Sequence, residues 1–451
     1  MSEKIALIGF VNTEEILADT IKSQTPNVQV DGYELFPNEA FGRSVDERYP
    51  LYGVNETGEF GLHHLDRLQR IGGAAYNAVN LGPIPAALIA ESILHETGID
   101  YVGPRKNELE YELNKTLIAE IFPDTTNVLP PTQILEVYNR QTIATAIEKL
   151  GGDVVLKFVG EYPKYYQDSE TRRVRMLSEF VNDSELQEFI ANSIDASGKA
   201  VIQKKIGGQQ FSYTALVDGN SGVFRLGENI CYKHRYDRET GPLGDGTGSI
   251  SINNTLPGIV SEDDIAYIEN SIVTPYTTYL GEKLGRYPKT FLNIDLIKAD
   301  DGKVYLLEVN NREPGGHTAA SLLSGLETPL AELLQATQEG RVSELEARYR
   351  LGAAAVVSAY PENFPYPFDD ENNRPQIVIP KLRIEDDVKI YTGWVDVEED
   401  RVDSVLARAK LSPTMLFSSH APSLDEATRR IYERMYQVVP RGFDYRKDIG
   451  Q

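Results

Sequence analysis

Apolar and polar positions along this chain switch between a continuous or two-residue period and a helical one, and the switches mark out its elements. Residues 4–10 (KIALIGF) form a short apolar run, the pattern of a buried strand, and residues 14–23 follow at helical spacing. Residues 11–103 mix short apolar runs with Gly and Pro. Within them 88–97 (LIAESILHET) has a helical pattern, and the punctuation VGPRKN at 102–107 closes an α/β unit. Helical periodicity returns over 108–122 and over 141–150, where Gly151-Gly152 stops it and a strand at 153–158 begins. Strands are predicted at 201–205 and 211–217 around Gly207-Gly208, a long helix at 262–284, a hairpin at 290–310 and a helix at 329–346. A final unit of strands ends in one helix, opened by Ser423 with Glu426 in capping-box spacing. The boundaries this implies are an α/β domain at 1–103, a central domain at 104–348 and a small α/β domain at 349–451.

Composition narrows the class. The chain has 451 residues, enough for about three domains at ~150 residues each, with 41% hydrophobic and 25% charged residues, as in a folded protein. A net charge of -23 argues against a nucleic-acid coat, which needs clustered Lys and Arg. A single cysteine, Cys231, forms no internal disulfide and points to a reducing compartment. The start MSEKIALIGF lacks the pattern of a signal peptide, and no apolar run reaches the ~20 residues of a membrane span. A cytoplasmic protein, a monomer or homodimer without nucleic-acid or membrane partners, is the expectation.

The hairpin is the most informative segment. Asp301-Gly302 reads as a two-residue turn with positive φ at both central positions. With that turn as centre, Asp295 faces Glu308 and Asn293 faces Asn310, so four polar groups share one face of one end. The other face carries Leu292, Ile294 and Leu296 against Tyr305, Leu307 and Val309, and Ile297 with Leu306 closes the polar face at its far end. Two facing carboxylates repel, and Mg²⁺, which prefers hard oxygen ligands, resolves the conflict. The alternative is an exposed strand whose acids face water.

Upstream, Lys157 lies near the end of the apolar strand DVVLKF, where its charge needs a partner such as a phosphate oxygen, unless the strand end faces solvent. VIQKKIGGQQFS at 201–212 could offer backbone groups to an adenine edge, with Gln203 and Gln210 in reach of the amino group and ribose. Taken alone, it is a plain hairpin. In HRYDRETGPLGDGTGSIS at 234–251, Gly241, Gly244, Gly246 and Gly248 leave N–H groups able to approach an anion, beside the cations Lys233, Arg235 and Arg238. No GKS or GKT follows, so a P-loop is excluded, and a surface loop is the alternative.

In this order the segments resemble the ATP-grasp superfamily. Lys157 matches its strand lysine, Gln203 and Gln210 its hinge pair seven residues apart, and Asp295, Glu308 and Asn310 its metal set. Lys115 in ELEYELNKTLIAEIF resembles its helix-borne nucleotide lysine, and Arg312 the arginine that follows E-x-N-x. Within the superfamily the chain is most like the phosphoribosylamine–glycine ligases. Thr240-Gly241-Pro242 and Gly246-Thr247-Gly248 resemble their D-T-G-P-x-T-G-G-M-G stretch, YTGWVDVEEDRV at 391–402 their small-domain strands, and YRKDIG at 445–450 their closing motif.

Four positions depart from that family: IGFVNTEEIL replaces its G-x-G-G-R-E-H-A motif, Arg312-Glu313-Pro314-Gly315-Gly316-His317 replaces R-F-G-D-P-E, the stretch after Lys157 is poor in glycine, and Gln replaces Glu at both hinge positions.

The resemblance implies an ATP-grasp α/β fold, with a lid over 123–200 tipped by 162–175. It also implies an enzyme that uses ATP and Mg²⁺ (or Mn²⁺) to join a small carboxylate to an amine through an acyl phosphate. It assigns Lys115, Lys157, Gln203, Lys205 and Gln210 to ATP and Asp295, Glu308 and Asn310 to the metal. Arg312 and Lys157 are assigned to catalysis, and Lys233, Arg235, Thr240, Gly241, Gly246 and Gly248 to a substrate or phosphate loop.

Overall fold

The computed structural model describes residues 4–9, 12–34, 44–50, 77–80, 100–123, 126–135, 140–151, 153–158, 174–176, 200–362, 376–380, 387–392, 395–400, 404–409 and 415–451, with 91, 98 and 364 between them. The helix expected at 88–97 and the lid tip at 162–175 fall almost entirely outside these residues.

The chain opens on a parallel sheet. Strands β1 (Lys4–Gly9), β2 (Gln29–Glu34), β3 (Glu47–Pro50), β4 (Asn77–Asn80) and β5 (Tyr101–Val102) lie in the order β3-β2-β1-β4-β5. β1 is buried along almost its whole length, as in sheets covered on both faces. Helix α1 (Asn12–Gln24) then buries Ile16 and Leu17 in one core with residues of two later helices, α7 (Gly316–Leu323) and α8 (Leu330–Glu339).

The helix expected over 108–122 is two helices, α2 (Lys106–Leu113) and α3 (Lys115–Ile121). Asn114 breaks it: its backbone is extended and its side chain accepts from the Thr116 N–H at 3.0 Å, the role Asn favours at a helix start. That break puts Lys115 at the first position of α3. A four-stranded sheet follows in the order β6-β9-β7-β8, from β6 (Thr132–Leu135), β7 (Val154–Phe158), β8 (Val174–Met176) and β9 (Ala200–Lys204), with α4 (Arg140–Leu150) packed on it.

The largest sheet is antiparallel. β10 (Gly208–Asp218), β11 (Val223–Tyr236), β12 (Thr240–Ile252), β13 (Lys289–Ala299) and β14 (Val304–Asn310) are joined by β15 (Ala353–Pro361). Outside it lies the small sheet of β16 (Gln376–Pro380), β18 (Val395–Asp400) and β19 (Ser404–Ala409). β17 (Lys389–Thr392) and β20 (Met415–Ala421) extend the large sheet, giving the order β14-β13-β10-β11-β12-β15-β20-β17, and β21 (Phe443–Asp444) pairs with β15. The sheet therefore runs across residues 348 and 349. Residues 234–251, read as a loop, belong to the hairpin β11–β12. Their glycines serve close approach: a side chain at Gly246 would meet His317 Nδ1 at 2.9 Å, and one at Gly248 would meet the Val356 carbonyl at 2.8 Å.

The long helix at 262–284 is continuous but mixed. α5 (Glu262–Ile268) passes through a π-helical turn, Glu269–Val273, into α6 (Thr274–Leu284), and Pro275, which lacks an N–H, stands where the π turn ends. α8 stops at Gly340 (φ 73°), short of the expected 346. In the terminal helix α9 (Leu424–Val438), the Ser423 hydroxyl accepts from the Glu426 N–H. The reciprocal arm of the expected capping box is replaced, because the Glu426 carboxylate is taken by Arg429 and Arg430.

Candidate active site

The metal hairpin forms with a different turn. Gly302 N–H donates to the Ala299 carbonyl and Ala299 N–H to the Lys303 carbonyl, both at 2.8 Å. Gly302 alone is left-handed (φ 85°), so the loop is a three-residue turn closed by glycine. A bulge at Leu307 then shifts the register back. Leu296 pairs with Leu306, but Asp295 pairs with Glu308 and Asn293 with Asn310, as expected. The bulge also moves Leu306 to the apolar face, fully buried with Leu292, Ile294, Leu296, Val304 and Val309. Leu306 therefore does not close the polar face, where Tyr305 pairs with Ile297 instead.

On the polar face the neighbouring strand β10 adds two hydroxyls that the sequence reading did not single out. One row runs Ser212–Asp295–Glu308 and the next Thr214–Asn293–Asn310. Ser212 donates to Asp295 Oδ1 at 2.7 Å and Thr214 to Asn293 Oδ1 at 2.9 Å. Their alternation with buried Phe211, Tyr213 and Ala215 was the available signal.

Three lysines from three other elements converge on this face. Lys115, placed by the break at Asn114, pairs with Glu308 Oε1. Lys233 of β11 reaches Asp295 Oδ2 at 2.8 Å. Lys157 of β7 is buried and donates to the Leu307 carbonyl, the bulge residue, at 2.6 Å. Burial alone would raise the Glu308 carboxyl, but Lys115, then Lys157 and Lys233, pull it down to about 2. Burial lowers the Lys157 ammonium to about 8 against the attraction of Glu308 and Asp295, and Lys115 and Lys233 push the same way as burial. The repulsion expected between Asp295 and Glu308 is thus offset by lysines.

Arg312, just past β14, donates to Glu112 Oε1 of α2 at 3.0 Å. The structure gathers Lys115, Lys157, Lys233, Asp295, Glu308, Asn310 and Arg312 at one end of β13–β14. The other expected residues are held elsewhere. Gln203 is buried and gives its amide to the Thr132 hydroxyl at 3.0 Å, Lys205 is exposed and pairs with Asp153 at 3.2 Å, and Gln210 is exposed at the start of β10.

Arg235 points its guanidinium at the main chain. It is buried and donates to the carbonyls of Phe364 (2.6 Å) and Pro361 (3.3 Å). Thr240 and Gly241 form the exposed tip of the β11–β12 hairpin, where the Thr240 hydroxyl donates to the Asp237 carbonyl at 2.9 Å. That tip is locked to the closing residues 445–450. Arg446, 1% exposed, pairs with Glu239 and with Asp448 at 2.7 Å, Arg238 N–H donates to Asp448 at 2.7 Å, and Lys447 N–H donates to Asp237 at 2.9 Å.

The residues expected to hold the metal offer two carboxylates and the Asn310 amide, all hard oxygens. No group of three or more His, Cys, Asp or Glu side chains suited to a metal occurs among the described residues. Mg²⁺ fits such a set, since it commonly takes one or two carboxylates and completes its shell with phosphates and water.

This fold is that of the ATP-grasp class. The structure aligns over 99% of both chains with the phosphoribosylamine–glycine ligase of Thermotoga maritima (TM-score 0.72, 20% identity). It also aligns over 99% of this chain and 92% of the other with the biotin carboxylase domain of the Hydrogenobacter thermophilus 2-oxoglutarate carboxylase, solved with MgADP and bicarbonate (TM-score 0.64, 15% identity). In sequence the chain is similar to curated phosphoribosylamine–glycine ligases. With that of Pyrococcus horikoshii it is 27% identical over 82% of this chain and 78% of the relative, and with that of Methanobrevibacter smithii 22% identical over 99% and 96%. No family model matches the chain.

Proposed function

We propose that this protein is an ATP-dependent carboxylate–amine ligase that joins glycine to phosphoribosylamine through a glycyl phosphate. The observation that carries the ligase reading is the convergence of Lys115, Lys157 and Lys233 on the facing carboxylates Asp295 and Glu308. Cations in excess of acids suit a polyphosphate whose metal the acids hold. Asp295, Glu308 and Asn310 would hold Mg²⁺ or Mn²⁺, which neutralises phosphate charge when bound.

Lys115, Lys157 and Arg312 then face the transferring phosphoryl group, and their work is positioning and electrostatics. An oxygen of the glycine carboxylate attacks the γ-phosphorus of ATP, the bond to ADP breaks, and a glycyl phosphate forms. The amine of phosphoribosylamine attacks the carbonyl carbon, phosphate leaves, and the nitrogen loses a proton to give the amide. Acyl phosphates hydrolyse readily, so a cover that excludes water is required, and the segment around 123–200 is the one the resemblance assigns to it. Gln203 on β9, Lys205 just after it and Gln210 on β10 make up the hinge, where the adenine would dock. The single cysteine and the substrates support a cytoplasmic location. No described helix is long and apolar enough to cross a membrane.

The choice of substrates rests on the curated relatives. A second reading, a ligase acting on a different acid and amine such as two amino acids, is favoured by one observation: Arg235, a candidate to hold a ribose phosphate, is spent on backbone carbonyls. A nucleotide-binding protein without turnover is the third. ADP release with glycine and freshly generated phosphoribosylamine, run beside free amino acids, separates them. Release that needs both substrates supports the first reading. Background with that pair and robust release with two amino acids supports the second. The third predicts no turnover with any pair.

A further inference from the structure

The rows of the polar face continue past the metal set into a small cavity. Below Ser212–Asp295 and Thr214–Asn293, the next pair on the same face is Leu216–Phe291. Phe291 and Thr214 line the cavity together with Thr13 and Leu17 of α1 and with Glu313 and Pro314 after β14. Thr214 therefore belongs to both places, donating to Asn293 in the amide row and forming a wall of the cavity. Glu313 is 4% exposed, and its Oε2 is buried without a hydrogen-bond partner. A buried carboxylate left so is costly unless it is protonated or meets a cation. Burial, with the neighbouring Glu14 carboxylate, holds the Glu313 carboxyl well above its ordinary range.

Successive rows on one face of a strand lie ~7 Å apart. The metal acids Asp295 and Glu308 lie on one side of the amide row and the cavity shared by Thr214 and Glu313 on the other, so an α-ammonium turned away from the metal acids enters the Glu313 side. We propose that Glu313 is the specificity-determining residue for the acid substrate: it receives the ammonium group of an α-amino acid whose carboxylate is presented to the phosphoryl group. This inference rests on the ligase reading above and adds to it the residue that selects an α-amino acid. The ammonium gives Oε2 the partner it lacks, and the carboxyl releases its proton to solvent as the ion pair forms, so plain carboxylic acids of the same size are rejected.

The test is calorimetric binding of glycine, of glycolate (a hydroxyl in place of the ammonium) and of a panel of free α-amino acids to the protein saturated with a non-hydrolysable ATP analogue and Mg²⁺. The wild type is expected to bind glycine, or another α-amino acid, at least tenfold tighter than its hydroxy-acid counterpart. Glu313→Gln should remove that preference by weakening the amino acid tenfold or more, Glu313→Asp should restore part of it, and affinity for the ATP analogue should stay unchanged in both. In turnover the loss should fall on KM for the amino acid more than on kcat. Equal binding of glycine and glycolate by the wild type, with no other amino acid preferred, overturns the proposal even if the variants fail to fold. So does an undiminished preference in Glu313→Gln. A Glu313-dependent preference for an amino acid other than glycine keeps this inference and removes glycine from the proposed function. Loss of analogue binding by the wild type removes the ATP-site reading and this inference with it.

Discussion

Lys157 Nζ donates to the carbonyl of Leu307 at 2.6 Å, and Leu307 is the residue that the bulge in β14 leaves without a register partner. The bulge thus does two things: it sets Glu308 opposite Asp295, and it offers a carbonyl on which the lysine of the neighbouring sheet rests. A neutral carbonyl is a weaker partner for an ammonium than a phosphate oxygen is.

Exchange of that contact for phosphate predicts that Lys157→Met weakens ATP binding by roughly 1.5–3 kcal/mol, the range for a hydrogen bond to a charged group. Because burial lowers the ammonium to about 8, wild-type affinity should also decline as pH rises through 8, and the variant should lack that decline. Calorimetry at pH 7 and 9 checks both. An unchanged affinity in the variant would leave the lysine as a support of its own sheet only.

Glu308→Gln should abolish turnover. The facing acids alone would suggest that it also stabilises the apo protein by removing repulsion, but the lysines reverse the sign. Glu308 is held ionised by Lys115, with Lys157 and Lys233 behind it, so a neutral amide leaves cations without their counter-charge. The variant should unfold at lower denaturant than the wild type at pH 7 and bind the ATP analogue with a weaker dependence on Mg²⁺. Greater stability would show that the acids repel more than the lysines attract.

The site was legible where alternation alone decides it, and the reason is partly a cancellation. The turn at Asp301-Gly302 was read one position too tight, and the bulge at Leu307 was unseen. Each shifts the register by one in opposite senses, so Asp295 still meets Glu308, while Leu306, between the two, changes face. Lys157 was found because a lysine in an apolar strand needs a partner, and Lys115 only through the resemblance of its helix to the family's. Lys233 was placed in a loop, because the glycines around it carry the composition of a turn, yet Gly246 and Gly248 are glycine because His317 and Val356 press on them. Such contacts come from residues far along the chain, and no local pattern announces them. Ser212 and Thr214 were passed over for a similar reason: hydroxyls are common on strands, and only their cross-strand partners give them a role.

Arg446 carries the likeness at the end of the chain, and its work here is bracing. It is 1% exposed, joins Glu239 at the β11–β12 tip to Asp448, and lies 4.9 Å above the Tyr232 ring. Arg446→Met should lower stability by roughly 1.5–3 kcal/mol, because Glu239 and Asp448 are partly solvated and recover some hydration. Lys157 and Glu308 lie on other elements, so affinity for the ATP analogue well below the melting temperature should be unchanged. Denaturant unfolding together with analogue titration checks the pair of outcomes, and a large loss of affinity would mean that the hairpin tip reaches the nucleotide.

His317 gives the chain a pH dependence of definite sign. It is 4% exposed on α7, with Nε2 against the Ser358 hydroxyl and Nδ1 against Gly246, and burial lowers it from 6.5 to about 4. The folded ring is therefore neutral at pH 5, where the unfolded ring is charged. The unfolded state binds the extra proton, so stability falls as the solution is acidified. The contribution is fully present above pH 6.5, is lost progressively toward 4, and levels off below, with a total of about 3 kcal/mol from a shift of that size. Raised carboxyls such as Glu313 and Glu108, and His420, titrate in or near this window too, so the histidine is isolated as the difference between wild type and His317→Gln in urea unfolding at pH 7, 6 and 5. The variant should start from a lower stability, because Gln fills the space differently, and should lose less of it on acidification. Parallel losses in the two proteins would mean that the ring accepts its proton without leaving the core, and the Ser358 hydroxyl would then be the group that stabilises the charge.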